Sequence, residues 1–286
     1  MWPSRFQLNK QHPWANGLKF AWLGYLAGGK QSIDSVGSIV GTAAGNAFWS
    51  AGSINRPVYN FDGNGDYINL ANSLSSLNFM HQTHKFTIFA KVKFANLNTR
   101  SGIVGNCALN VNKGFFFIRD YISGTAVNVL RYRGYKGTTE AVCDYCTDDD
   151  AIADTNWHSA IVRPYISTYN KADFFIDGVK YAGRAFPGIS ESSNLGTGNS
   201  TYSAVIGRPQ AAATWGDMNG QIADVMIWDR VLSEKDCIRL SSPNRDPMIG
   251  GLIEPIGGRI YPYVPEQIAS YTLVAESGSF SFAGSS

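Results

Sequence analysis

Residues 86–94 read Phe-Thr-Ile-Phe-Ala-Lys-Val-Lys-Phe, and this stretch constrains the fold more than any other. Positions 86, 88, 90, 92 and 94 are apolar, while Thr87, Lys91 and Lys93 fall between them. A period of two is the signature of a strand with one buried face. Phe89 breaks the polar side and is expected to pack under a loop or a partner. Similar short runs follow at Val127–Tyr132, Trp157–Val162, Ala172–Ile176, Val179–Ala182, Tyr202–Gly207 and Gln221–Trp228. Gly114–Ile122 is apolar on both faces, as for a strand between layers. Asp177-Gly178 joins two of these runs, and such a dipeptide favours a two-residue hairpin because both turn positions want positive φ.

The rest of the chain agrees with this pattern. Thirty glycines supply turns, and 13% aromatics suit pleated sheets better than helix bundles. One helix is expected at Ser233–Leu240, where Ser233 and Asp236 have the spacing of a capping box. The predicted fold class is all-β: a two-sheet antiparallel jelly-roll sandwich of about ten strands with one short C-terminal helix. It occupies residues 17–242, between a polar N-terminal arm (1–16) and a Pro/Gly-rich C-terminal extension (243–286). Alternation resumes at Ile268–Phe282, so a terminal strand is expected to pair with the main domain or with another chain.

Charge and cysteine usage narrow the function. Net charge is +2 without a Lys/Arg run, so the electrostatic footprint of a nucleic-acid partner is missing. No apolar segment approaches a membrane span, and membrane insertion is not expected. The early apolar run Leu18–Ala27 is interrupted by Lys19 and Gly24 and lacks a basic lead, so no secretion signal is expected. Cys107, Cys143, Cys146 and Cys237 are then expected to be free thiols. Cys143-Asp-Tyr-Cys146 has metal-ligand spacing but no second pair, which argues against structural zinc. The acidic clump Asp148-Asp149-Asp150 is expected to be a solvated loop.

Four segments together resemble a known family. These are Trp14-Ala-Asn-Gly-Leu-Lys-Phe-Ala-Trp22, Phe61-Asp-Gly-Asn-Gly-Asp-Tyr-Ile68, Trp157–Val162 with Phe175-Ile-Asp-Gly-Val179, and Gly220–Ser233. In this order they resemble the strands of laminin-G-like, concanavalin A-like jelly rolls, across about residues 14–242. The Pro-rich segment after the helix and the stretch Ala269–Phe280 are similar to those of tailed-phage virion proteins. That second likeness alone implies a place on the virion surface.

Enzymatic members of the fold cleave sugars with two closely spaced glutamates. Here Glu140, Glu191, Glu234, Glu254, Glu266 and Glu276 do not pair with another acid at strand spacing within a predicted strand. No nucleophile elbow, phosphate loop or zinc-protease motif occurs, and His12, His81, His84 and His158 form no obvious set. No catalytic residue is assigned. The resemblance implies a Ca²⁺ site, which would fall on Asp62 and Asp224. For glycans, exposed aromatics are the usual platforms. Trp215, beside the turn residues Gly216 and Asp217, is the leading candidate, with Tyr135 and Tyr145 next and Tyr165 and Tyr169 further choices.

Two functions follow as expectations. The first is a non-enzymatic virion-associated display protein, docked through its extensions on other virion proteins or on copies of itself. The second is a lectin-like glycan-binding module.

Overall fold

The computed structural model describes residues 6–23, 31–37, 39–51, 54, 57–82, 85–107, 113–122, 126–135, 141–166, 170–187, 200–209, 215–243 and 252–255. The chain begins with β1 (Phe6–Leu8), a 3-10 turn (Pro13–Ala15), β2 (Leu18–Leu23), β3 (Gln31–Ile33) and β4 (Val40–Ala44). β5 (Phe48–Ala51), β6 (Pro57–Asp62) and β7 (Tyr67–Ala71) follow, then two short helices, α1 (Ser73–Leu77) and α2 (Phe79–Gln82). Next come β8 (Thr87–Phe94), β9 (Ser101–Gly105), β10 (Phe115–Ile122), β11 (Ala126–Tyr135) and β12 (Ala141–Cys146). β13 (Trp157–Ile166), β14 (Asn170–Ile176), β15 (Val179–Ala182), β16 (Arg184–Ala185) and β17 (Val205–Ile206) lead to β18 (Asn219–Trp228), α3 (Glu234–Ser241) and β19 (Ile253–Pro255).

Among the described residues, these strands form two large sheets. One is nine-stranded, in the order β16-β12-β11-β10-β9-β17-β7-β4-β3. The other is eight-stranded, in the order β15-β14-β13-β8-β18-β6-β5, with β2 pairing β18 beside it. Every strand pairing is antiparallel. The protein is a jelly-roll sandwich with one short C-terminal helix. Trp22, Tyr59, Ile88 and Phe94 from one sheet meet Ile68, Phe115, Phe117 and Tyr132 from the other in the main core. Each fully buried side chain of this size contributes on the order of 1.5–3 kcal/mol.

β8 shows why the sandwich has a second core. Its even-numbered residues face the main core, as the alternation requires. Phe89, on the other face, is fully buried beside Met226, Ile161 and Phe175 of the neighbouring strands. Trp14, Leu232, Cys237, Leu240 and Leu252 cover these residues from outside the sheet. The arm predicted for residues 1–16 is therefore folded onto the sandwich along its described part. Trp14 donates its indole N–H to Asp236 Oδ1 (3.0 Å), and its carbonyl accepts from Trp228 Nε1 (2.6 Å). β1 then pairs with β19, so arm and extension form a small two-stranded sheet.

α3 begins where the capping pattern places it. Ser233 Oγ accepts from the Asp236 backbone N–H (3.1 Å). The reciprocal half of the box is absent, because Asp236 instead binds the Ser233 hydroxyl and Trp14. The Asp177-Gly178 hairpin also forms as expected, with φ of 50° and 84° and Ile176 opposite Val179. α1, α2 and several short edge strands were not expected. The predicted strand Tyr202–Gly207 shrinks to β17. The expected terminal strand at Ile268–Phe282 lies outside the described residues.

Candidate ligand-binding site

The outward face of the nine-stranded sheet carries a continuous chain of ion pairs and rings. On β11, Arg131, Arg133 and Tyr135 fall on one face by strand alternation, while Leu130 and Tyr132 enter the main core. Arg131 forks onto Asp144 of β12 (Nε–Oδ1 2.8 Å, Nη2–Oδ2 2.7 Å) and reaches Asp120 of β10 (Nη1–Oδ2 2.7 Å). The other Asp120 oxygen takes Arg100 Nε at 2.7 Å. Asp120, Asp144 and Arg131 are all buried. Burial works against the Arg131 charge, but Asp144 and Asp120 outweigh it and raise its pKa. Phe186 closes the cluster, its ring 3.3 Å from the Arg131 guanidinium carbon.

Trp215 stands at the rim of this cluster. The Arg100 guanidinium stacks 4.1 Å above its ring, and Phe116 of β10 packs 5.6 Å away, centroid to centroid. The turn that carries it is rigidly held. Gly102 donates to the Gly216 carbonyl (2.7 Å), and Asp217 pairs with Arg208 through two bonds of 2.9 Å. Asp217 Oδ2 also accepts from Gly65 N–H (2.7 Å), which ties the Trp215 turn to the β6–β7 turn. Trp215 is half-buried, so part of its indole surface remains open.

The far side of the cluster holds a third guanidinium, whose Nε is buried. Arg133 lies near Asp144 (Nε–Oδ2 2.8 Å), yet its Nε–H has no acceptor in line among the described residues. Its Nη1 donates to the Tyr135 hydroxyl at 3.1 Å. The guanidiniums of Arg100, Arg131 and Arg133 face the carboxylates of Asp120 and Asp144, leaving one net positive charge.

The candidates read from the sequence fare differently. Tyr135 is only 2% exposed, packed edge-on to Phe116 at 6.2 Å, and burial pushes its hydroxyl up to about 12. Tyr145 is 4% exposed and belongs to the main core. Neither presents a ring face to solvent, because both sit on strands, not on loops. The backbone of Tyr165 belongs to β13; its side chain and the whole of Tyr169 lie outside the described residues. Trp215 alone of the three principal aromatic candidates keeps an open surface.

Asp62 and Asp224 do not converge. Asp62 is exposed at the β6–β7 turn and accepts from Asn64 N–H (2.8 Å) and Asn46 Nδ2 (3.0 Å). The Asn46 hydrogen bond leads the contacts that lower its pKa. Asp62 pairs in register with Asn219, five positions before Asp224 on β18, a separation of about 17 Å. Asp224 is fully buried opposite Lys91 of β8, which supplies a fixed cation on the same sheet face. Among the described residues no group of three acidic, histidine or cysteine side chains could hold a metal. A Ca²⁺ site shared by these two residues does not fit this geometry.

Cys143 and Cys146 point to opposite faces of β12, one into the main core and the other beneath Phe186. His81 lies in α2, its side chain outside the described residues, as is all of His84. The acidic clump is exposed, with Asp149 paired to Arg184. No described helix is long and apolar enough to cross a membrane. The Arg/Asp cluster escaped the sequence reading, although Arg131, Arg133 and Tyr135 at i, i+2 and i+4 carry its signature.

Comparisons with known proteins agree with this architecture. No curated protein matches the chain in sequence. Among solved structures, domain 4 of AbnA, a GH43 extracellular arabinanase from Geobacillus stearothermophilus in complex with arabinotriose, is similar with a TM-score of 0.55 and 16% identity. That match covers 79% of this chain and 98% of the other. The binding domain of Paraclostridial Mosquitocidal Protein 1 (TM-score 0.54, 16% identity, 78% of this chain) and the botulinum neurotoxin serotype D binding domain (0.52, 15%, 79%) are also similar. The alignments span 51% of each of those two toxin chains. At these identities the likeness is one of fold. The model of the Laminin_G_3 family, described as the concanavalin A-like lectin/glucanases superfamily, matches residues 62–237, more than half of the chain. The chain therefore belongs to the Laminin_G_3 family of concanavalin A-like lectins and glucanases.

Proposed function

We propose that this protein is a non-catalytic glycan-binding module whose ligand lies against Trp215. The observation that carries the reading is a half-buried indole in contact with Arg100 and Phe116, at the edge of a cluster with one net positive charge. A sugar's C–H face stacks on an aromatic ring, and a ring that is already immobilised loses little entropy on binding. The net positive charge of the cluster favours a glycan that carries an acidic group, since guanidinium–carboxylate hydrogen bonds are the stronger ones. The sugar complex of the arabinanase domain supports this class of ligand for the fold.

A glycan array tests the proposal. Saturable binding should fall about tenfold or more in Trp215→Ala, while Arg133→Gln should weaken acidic glycans more than neutral ones. Equal binding by wild type and Trp215→Ala would remove the Trp215 site. Display on a virion is the second reading, supported by the resemblance of the tail segments and by the β1–β19 pairing, which brings both flanking extensions to one place. Deleting residues 256–286 should release the protein from particles while the sandwich stays folded. Unchanged incorporation would exclude docking through that extension.

A further inference from the structure

The outward face of the eight-stranded sheet holds a second arrangement, on the opposite side of the molecule from Trp215. Pairing register lines up Phe48 of β5, Asn60 of β6, Gln221 of β18, Lys93 of β8 and Trp157 of β13 as directly opposed neighbours. Directly opposed residues share one face of a sheet. That face is the outer one, because the adjacent Tyr59, Ile222, Val92 and Phe94 all enter the main core. The row has an aromatic ring at each end and hydrogen-bonding side chains between. Four strand spacings separate the ends, about 19 Å.

The row is open and pre-organised. Phe48 is 59% exposed, an unusual position for a large apolar ring, and the other members are half-buried. Gln221 Nε2 donates to Asn60 Oδ1 (2.6 Å), and Asn60 Nδ2 donates to Ser50 Oγ (2.8 Å). These bonds fix both amides, and no described residue takes Gln221 Oε1 or the Lys93 ammonium. Between them lies a shallow recess lined by Asn60, Lys93, Ala95, Asn219, Gly220 and Gln221. Its floor is obligatorily glycine. A Cβ on Gly220 would meet the Lys93 carbonyl at 2.1 Å, and its φ of 147° is one that other residues rarely adopt.

We infer that this row is a binding surface for an extended, neutral, unbranched polysaccharide lying across the strands. Two rings about four strand spacings apart can stack on separate sugar units. Amide and ammonium groups between them match hydroxyl donors and acceptors. The row contains one cation and no carboxylate, whereas a polyanion would need several phosphate- or sulfate-facing cations. A peptide added by strand pairing would use the backbone of edge strand β5 and would leave the face of the sheet empty. This surface shares no residue with the Trp215 site and stands independently of it.

Affinity electrophoresis in gels containing soluble arabinan, xylan or β-glucan, with calorimetry on the hexasaccharide and disaccharide of the retarding polymer, provides the test. The intact chain should be retarded by at least one polymer, and the hexasaccharide should bind while the disaccharide does not. Phe48→Ala and Trp157→Ala should each reduce hexasaccharide affinity about tenfold. Phe48→Ser, at the most exposed position, guards against loss of fold in the Trp157 variant, and thermal unfolding checks both. Retention that survives Phe48→Ser and Trp157→Ala but disappears in Trp215→Ala would overturn the row and leave the Trp215 reading standing. Equal affinity for the two oligosaccharides, or no retention in any polymer, would overturn the row as well.

Discussion

Arg131 is the side chain on which most of the buried charge depends. It is 4% exposed and neutralises two carboxylates that water cannot reach. Arg131→Ala should destabilise the protein by about 3 kcal/mol in chemical denaturation, because it removes the buried cation between Asp120 and Asp144 and leaves each with one arginine. His158 is a different case. It lies 2.7 Å from Asp177 and 3.1 Å from Asp154. Burial opposes its charge, but the two aspartates outweigh burial and raise its pKa above the usual 6.5. A raised folded value means that its contribution is full below the unfolded pKa and is lost as pH climbs through the folded one. The stability difference between wild type and His158→Gln should therefore be widest near about pH 5.5 and should shrink toward about pH 8.5. A difference that grows with pH would show that the neutral imidazole is the stabilising form. The sequence displays His158 and its acids, but not their meeting, since Asp177 arrives only through the hairpin.

At the scale of elements, the strongly periodic pieces were legible and the weakly patterned ones were not. β8, β13, β14 and β18 were readable because each alternates or runs apolar for long enough to define a face. β17 and β16 are two residues each, and β3 is three, too short for any period to register. Phe89, expected to pack under a loop or a partner, belongs to the second core with Trp14, Leu232, Cys237 and Leu240. Trp14 shows how the polar N-terminal arm is attached. A single ring in the 3-10 turn carries no periodic signal, yet it covers the outer sheet face and links to α3 through Asp236. Trp14→Ala should cost about 3–5 kcal/mol, read as a lowered denaturation midpoint. Ser233→Ala should cost about 1 kcal/mol through loss of the helix cap. If the arm were a free extension, the Trp14 change would be silent.

Across the whole molecule, the sandwich separates two outward faces of different chemistry. The nine-stranded sheet presents guanidinium, carboxylate and indole groups around Trp215, and the eight-stranded sheet presents amides between two rings. The jelly-roll class was readable from turns and alternation, whereas both faces depend on which strands become neighbours across long stretches of sequence. Gln221 and Asn60 are far apart in the chain and meet only through the β6–β18 register. Deleting residues 1–9 should remove β1 but spare both faces, so glycan binding should persist while the melting temperature falls.

The small sheet at the chain's flanks also sets how the molecule bears load. Phe6 pairs with Pro255 and Leu8 with Ile253, so the outermost rung is the one nearest both flanking segments. Tension applied through those segments opens the ladder one rung at a time instead of shearing it. The first rung is a non-hydrogen-bonded pair, because Asn9 N–H donates to the Leu252 carbonyl three positions along the ladder. Pulled from both flanks, the protein should release this clasp at low force, as a small early extension ahead of the main rupture in a single-molecule trace. The slack so released would lengthen the tether while both sheets remain intact.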